Sequence, residues 1–178
     1  VVKAAPRARP DGRGLRVALL RANFNEGIVD GLVAGAEQEL RAMAVGKVTL
    51  VAVPGAFELP LAAKAAGASR RFDAIVALGA VIRGETDHYE HIAREAAAGL
   101  QRAALDTGVP VAFGVLTARD EGQALARSLP GPGNKGAEAA RAAVAMVRAL
   151  RALKRALGPR STRSGSSSGS RSARDRRG

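Results

Sequence analysis

The sequence predicts a three-layer α/β fold, a four-stranded parallel sheet with helices on both faces. Three observations carry the expectation. Short apolar, β-branched runs alternate four times with segments of helical period. The connections between them are short, as in βαβ units. The third run, Asp73 to Ile82, is apolar at consecutive positions, as a strand covered on both faces must be. Such an alternation implies right-handed crossovers. Ligands in these sheets bind beyond the carboxyl ends of the strands, near a reversal of strand order.

Arg16 to Ala22 reads as the first strand. Asn25 then stands where it can cap a helix from Glu26, with Ile28, Leu32, Val33, Ala36 and Leu40 on its apolar stripe. Val48 to Val53 is the second strand, closed by Pro54-Gly55. Phe57 to about Ala68 is an alanine-rich helix, with Pro60 tolerable only in its first turn. After the third strand, Asp87 to Leu105 is a helix, and Val109 to Leu116 is the fourth strand with Pro110 at its start. A short helix covers Glu121 to Ser128, and a long one follows Gly133 to Leu157.

The chain of 178 residues supports one domain. It has no cysteine, which excludes disulfides, thiolate metal sites and a cysteine nucleophile together. Its start lacks the apolar stretch of a secretory signal, and no apolar run is long enough to span a bilayer. A cytoplasmic protein without membrane partners is the expectation. The net charge of +12 is concentrated at the ends: residues 1–16 carry +4 and residues 158–178 carry +5. Residues 1–14 therefore read as a basic extension, 15–157 as the α/β domain, and 158–178 as an Arg/Ser/Gly-rich tail expected to be disordered. The tail is either merely solvated or makes a weak, salt-sensitive contact with RNA or another polyanion.

The chemistry-bearing residues gather after the strands. The stretch "GAVIRGETDHYEH" empties a buried strand into a histidine at a helix start. Asp87 and Glu90 have the spacing of a capping box, which puts His88 at the first helical position. The positive end of a helix disfavours an imidazolium and leaves a neutral ring able to accept and return a proton. The free amides there, with Gly84 and Thr86 before them, suit an oxyanion or a phosphate. His88 is otherwise a surface histidine that happens to open a helix. His91 and Glu95 share its face, but without cysteine or a further histidine no metal set is expected, and His91 reads as a surface residue. Glu58 either opens its helix or accepts hydrogen bonds from substrate hydroxyls. Phe24, in a polar turn, either stacks on a planar ligand or packs under a loop. Arg127, before "SLPGPGNKG", suits bidentate phosphate contact or an ordinary helix end, with Lys135 on the same cationic edge. No P-loop and no Gly-x-Gly-x-x-Gly follows the first strand, so no nucleotide cofactor is expected.

Together, "RANFN", "VPGAFELP", "ALGAVIRGETDHYEHI", "GVPVAFGVLT", "EGQALARS" and "GNKGAEAA" resemble the lumazine synthase family over about residues 15–155. The resemblance implies a flavodoxin-like fold. It also implies condensation of 5-amino-6-(D-ribitylamino)uracil with 3,4-dihydroxy-2-butanone 4-phosphate to 6,7-dimethyl-8-ribityllumazine, without a cofactor or metal. It implies that Phe24 stacks on the pyrimidine and that Ala56, Phe57 and Glu58 line the ribityl chain. Ala80, Val81 and Ile82 would face the uracil through backbone groups. Glu85 and Thr86 would contact the phosphorylated ketone, Arg127 would bind its phosphate, and His88 would shuttle protons. Phe113 and, with Arg127, Lys135 would come from a neighbouring subunit of a pentamer, or of twelve pentamers closed into a shell. The chain departs from the family pattern at Ala126 and at Pro130-Gly131-Pro132. A non-catalytic flavin-binding or shell-forming protein is the alternative on the same fold.

Overall fold

The structure, a computed structural model, describes residues 9–158. The expected disorder of the tail lies outside the described residues. Four strands, β1 (Arg16–Ala22), β2 (Lys47–Val53), β3 (Ala74–Ile82) and β4 (Val111–Ala118), form one parallel sheet in the order β2-β1-β3-β4. Five helices connect and cover it: α1 (Glu26–Ala42), α2 (Leu59–Ala68), α3 (His88–Thr107), α4 (Glu121–Ser128) and α5 (Lys135–Leu157). This is the three-layer, flavodoxin-like architecture.

The pleat divides the core in two. Val17 and Leu19 of β1, Val76 and Leu78 of β3 and Leu116 of β4 face α1, α4 and α5. Ala18, Leu20, Ile75, Ala77 and Val115 face α2 and α3. β3 is buried at every position but its last, as its unbroken apolar run requires. The edge strand β2 behaves differently. Leu50 and Val51 are 46% and 42% exposed, on opposite faces of the strand.

Several boundaries move by one or two residues from expectation, those of β4 and α2 among them. β4 begins at Val111 rather than Val109 and runs on to Ala118, opposite Ile82. Pro110 has no N–H to give the ladder, but its carbonyl accepts from the Ile75 N–H at 2.8 Å, so it leads the strand in. α2 begins at Leu59, two residues after Phe57, with Pro60 inside its first turn.

The long helices pack on small residues. A Cβ at Gly136 of α5 would collide with the Leu32 carbonyl of α1. Asn134 locks this junction and is almost fully buried. Its Nδ2 lies within hydrogen-bond reach of the carbonyls of Gly31 (3.0 Å), Ser128 (2.6 Å) and Leu129 (3.2 Å), while its Oδ1 accepts from the Ala137 N–H at 3.0 Å. One side chain thus caps α5, ends α4 and holds both to α1.

Candidate active site

The sheet order reverses at β1: the chain steps outward to β2 and then returns across to β3. A cleft of about 690 Å³ opens there, at the carboxyl ends of these three strands. Its walls come from the turn after β1 (Phe24, Asn25), the turn after β2 (Gly55 to Glu58), the end of β3 (Ala80 to Ile82) and the start of α3 with the loop before it. Backbone bonds hold the rim together: the Asn23 N–H donates to Val53 at 2.9 Å and the Arg83 N–H to Ala118 at 3.0 Å.

Phe24 is 72% exposed and lines this cleft, so it is not packed under a loop. Asn25 sets its position. The Asn25 backbone is left-handed (φ 58°), a conformation asparagine tolerates better than most residues. Its side chain does not cap α1. Instead Nδ2 crosses to the Ala80 carbonyl of β3 at 2.8 Å. The expected cap is corrected: the amide ties the turn carrying the ring to the strand end beneath it.

Glu58 occupies the cap position of α2 but makes no side-chain cap bond, so its carboxylate remains available to the cleft. Gly55 makes room for both groups. A Cβ there would lie 3.0 Å from Glu58 Oε2 and 3.3 Å from the Phe24 ring. Ala56, Ala80 and Val81 are buried and present little side chain, while Phe57 is exposed.

His88 opens α3, as its spacing implied, and lines the cleft with Gly84 and Thr86. The capping box does not form. Asp87 stands at the cap position with φ −73° and ψ 0°, and its side chain makes no cap bond; its carbonyl accepts the Glu90 N–H at 2.9 Å. With ψ near zero the cap residue lies outside the extended conformation from which a side chain reaches back to the helix amides. Glu85 is exposed and does not line the cleft. His91 is exposed, in keeping with its reading as a surface residue, and it also lines the cleft beside Tyr89 and Ile92. His88 and His91 lie three apart on one helix face, and that period was the available signal.

Phe113, Arg127 and Lys135 are elsewhere. They line a second, shallower depression of about 410 Å³ along β4, α4 and the start of α5. Phe113 is 47% exposed on the edge strand. Arg127 folds back so that Nη1 donates to the Gln123 carbonyl at 2.7 Å, and Lys135 Nζ contacts both oxygens of Glu138 at 2.9 and 2.8 Å. The two cationic groups and the ring are brought together, but not with His88. A larger groove of about 1270 Å³ runs between α1 and α5. Its floor is small residues such as Gly31, Ala34 and Ala142. The buried carboxylate Glu39 in it is already engaged by Arg9 at 2.8 Å and Arg141 at 3.1 Å, and the departing Pro130-Gly131-Pro132 segment forms one lip.

An open parallel sheet whose switch point is walled by an exposed ring, a free carboxylate and a helix-start histidine defines a small-molecule site on a flavodoxin-like α/β protein. Comparison with known proteins narrows the class. Residues 14–151 match the family 6,7-dimethyl-8-ribityllumazine synthase. The protein of that name from Azoarcus sp. is 47% identical over 119 residues, covering 66% of this chain and 76% of its own. Those from Kineococcus radiotolerans and Leifsonia xyli are 51% and 53% identical, covering 76% and 74% of this chain and 84% and 83% of their own. The chain belongs to the 6,7-dimethyl-8-ribityllumazine synthase family.

Proposed function

We propose that this chain condenses 5-amino-6-(D-ribitylamino)uracil with 3,4-dihydroxy-2-butanone 4-phosphate, forming 6,7-dimethyl-8-ribityllumazine and releasing phosphate and water. The observation that carries the reading is the division of the implied residues into two incomplete depressions on one chain. One holds the groups suited to a planar, hydroxylated substrate and a proton shuttle. The other holds a ring and two cations that have no planar or phosphorylated partner in their own half.

In the first half, the Phe24 ring stacks on the pyrimidine, and Glu58 accepts hydrogen bonds from ribityl hydroxyls, with Ala56 and Phe57 lining the same chain. The backbone of Ala80, Val81 and Ile82 meets the uracil edge, where side chains this plain leave the amides reachable. Thr86 and the amide of Glu85 receive the phosphorylated ketone. His88 moves the protons. The substrate amine attacks the ketone carbon and water leaves, giving an imine; loss of a C–H proton expels phosphate; the second amine then closes the ring with loss of water. Each step couples proton transfer to the making or breaking of a C–N or C–O bond between reactants already held together, so positioning supplies much of the rate. Arg127 supplies the fork that matches phosphate. Phe113, Arg127 and Lys135 act on the cleft of an adjoining copy, which makes the working unit a homo-oligomer, a pentamer at least.

Mixing both substrates with the protein tests this directly, since the lumazine product brings new absorbance and fluorescence. Arg127→Ala should lower kcat/KM about 100-fold or more, the loss of a charge-assisted phosphate contact. His88→Ala should cost about 10- to 100-fold, because the reactants stay positioned without it. Riboflavin binding without any turnover would replace the enzyme by a storage protein.

A further inference from the structure

The end of the sheet opposite the cleft is built from arginine. Arg16 opens β1 and gives its backbone N–H and its Nε to Asp73 Oδ2, at 2.9 and 3.3 Å; its Nη2 lies 3.4 Å from the Arg70 carbonyl. Arg151 of α5 takes the other Asp73 oxygen at 3.1 Å. One turn earlier Arg148 donates to the carbonyls of Asp11 (2.6 Å) and Arg13 (3.3 Å), and Arg13 pairs with the Asp11 carboxylate at 3.1 Å. Both carboxylates of this network are thus shared between two arginines each. Around it Arg70, Arg71, Lys154 and Arg155 are exposed, and Arg71, Lys154 and Arg155 hold no ion pair among the described residues.

Apart from Asp11, Asp73 and Asp106, which are held in ion pairs with basic side chains at this end, acids outnumber bases at the other pole. Glu26, Glu58, Glu85, Asp87, Asp120 and Glu121 lie in the loops and first helical turns beyond the strand ends. The molecule is therefore divided in charge along the strand direction. The described residues end at this basic pole, at Gly158.

We propose that the basic pole binds the phosphodiester backbone of a single-stranded nucleic acid. Guanidinium groups match phosphate oxygens in pairs. Phe72, the aromatic ring of this end, packs against the core, so no base stacks there and binding is indifferent to sequence. A single strand bends over a pole about four strands, or roughly 19 Å, across. A duplex, stiff over about 150 base pairs, touches it with few phosphates. An anionic bilayer is the weaker occupant: the exposed side chains of this pole are chiefly charged, and few of them can be buried in lipid. Leu153 and Leu157 are exposed on α5, which makes vesicles a necessary control.

The test is fluorescence anisotropy of the full chain with labelled oligouridylate and oligothymidylate across a salt series, beside polyglutamate and phosphatidylserine vesicles as competitors. Both oligonucleotides should bind at low salt, their ratio telling RNA from DNA as the preferred source. The triple reversal Arg71→Glu, Lys154→Glu, Arg155→Glu should weaken binding at least about tenfold. It should also flatten the log–log salt slope by about 2, some 0.7 per lost phosphate contact. Lumazine formation should be unchanged in that variant, which also shows it folded. Three results would overturn the proposal: no binding at about 50 mM salt, a slope untouched by the reversal, or displacement by polyglutamate or vesicles at equal anionic charge.

Discussion

Asn25 decides where the Phe24 ring stands, and it does so by a role its residue type disguises. Asparagine before a run of helical period reads as a cap, yet the structure uses its tolerance of a left-handed backbone and sends its amide to Ala80. That bond spans 55 positions of sequence, which no local pattern reveals. Asn25→Asp keeps the shape and the backbone tolerance but turns a donor into an acceptor facing a carbonyl. Steady-state kinetics should show KM for the ribitylamino substrate raised about five- to tenfold with kcat nearly kept, the worth of one hydrogen bond of about 1 kcal/mol. An unchanged KM would remove Asn25 from substrate positioning. His88, Glu58 and Phe24 were legible because each breaks its surroundings: a histidine at a helix start, an acid after Pro-Gly, a ring in a polar turn. His91 was not, since an exposed polar residue on a helix fits its place without comment.

At the scale of elements, the strands were legible wherever burial on both faces leaves an uninterrupted apolar run, as in β3. β4 slipped by two residues because Val109 continues the apolar pattern while Pro110 delays the ladder. The capping box failed for a different reason: the spacing of Asp87 and Glu90 is right, but the glycine-containing loop before them delivers Asp87 in a conformation that does not reach back. The Asn134 clamp was invisible, being one asparagine in a Pro/Gly turn whose partner Gly31 lies 103 residues away. Near it, Glu39 joins α1 to α5 and to the entering chain. Burial alone would raise its pKa, but hydrogen bonds from Arg9 and Arg141 outweigh this and hold it below the ordinary glutamate value. A carboxylate depressed in the folded state contributes stability that is present above its unfolded pKa and is lost as pH falls through the folded one. Thermal midpoints should therefore decline below about pH 4.3. Glu39→Gln should cost about 1–3 kcal/mol at neutral pH and flatten that acid slope. Equal acid slopes in the two proteins would show that Glu39 contributes nothing to it.

The whole molecule leaves its working surfaces unfinished. Leu50 and Val51 flank an open strand edge, Phe57 and Leu61 are exposed beside the cleft, and along β4 the half-exposed Phe113 ring lies with Arg127 and Lys135, which are engaged only within their own helices among the described residues. If another copy covers these surfaces, light scattering should give at least five subunits, and the melting temperature should rise with protein concentration, because association is then a binding term in stability. A chain held monomeric by charged substitutions at Leu50 and Val51 should fold and not turn over. Normal turnover from such a monomer would refute sharing of the site. The parallel sheet also separates two electrostatic neighbourhoods. A seven-residue strand such as β1 spans roughly 23 Å, nearly three times the distance over which salt at physiological strength quenches a charge, about 8 Å. The cleft is accordingly deaf to the arginines at the far end: their number can be redesigned without changing how strongly a charged molecule is drawn to the mouth.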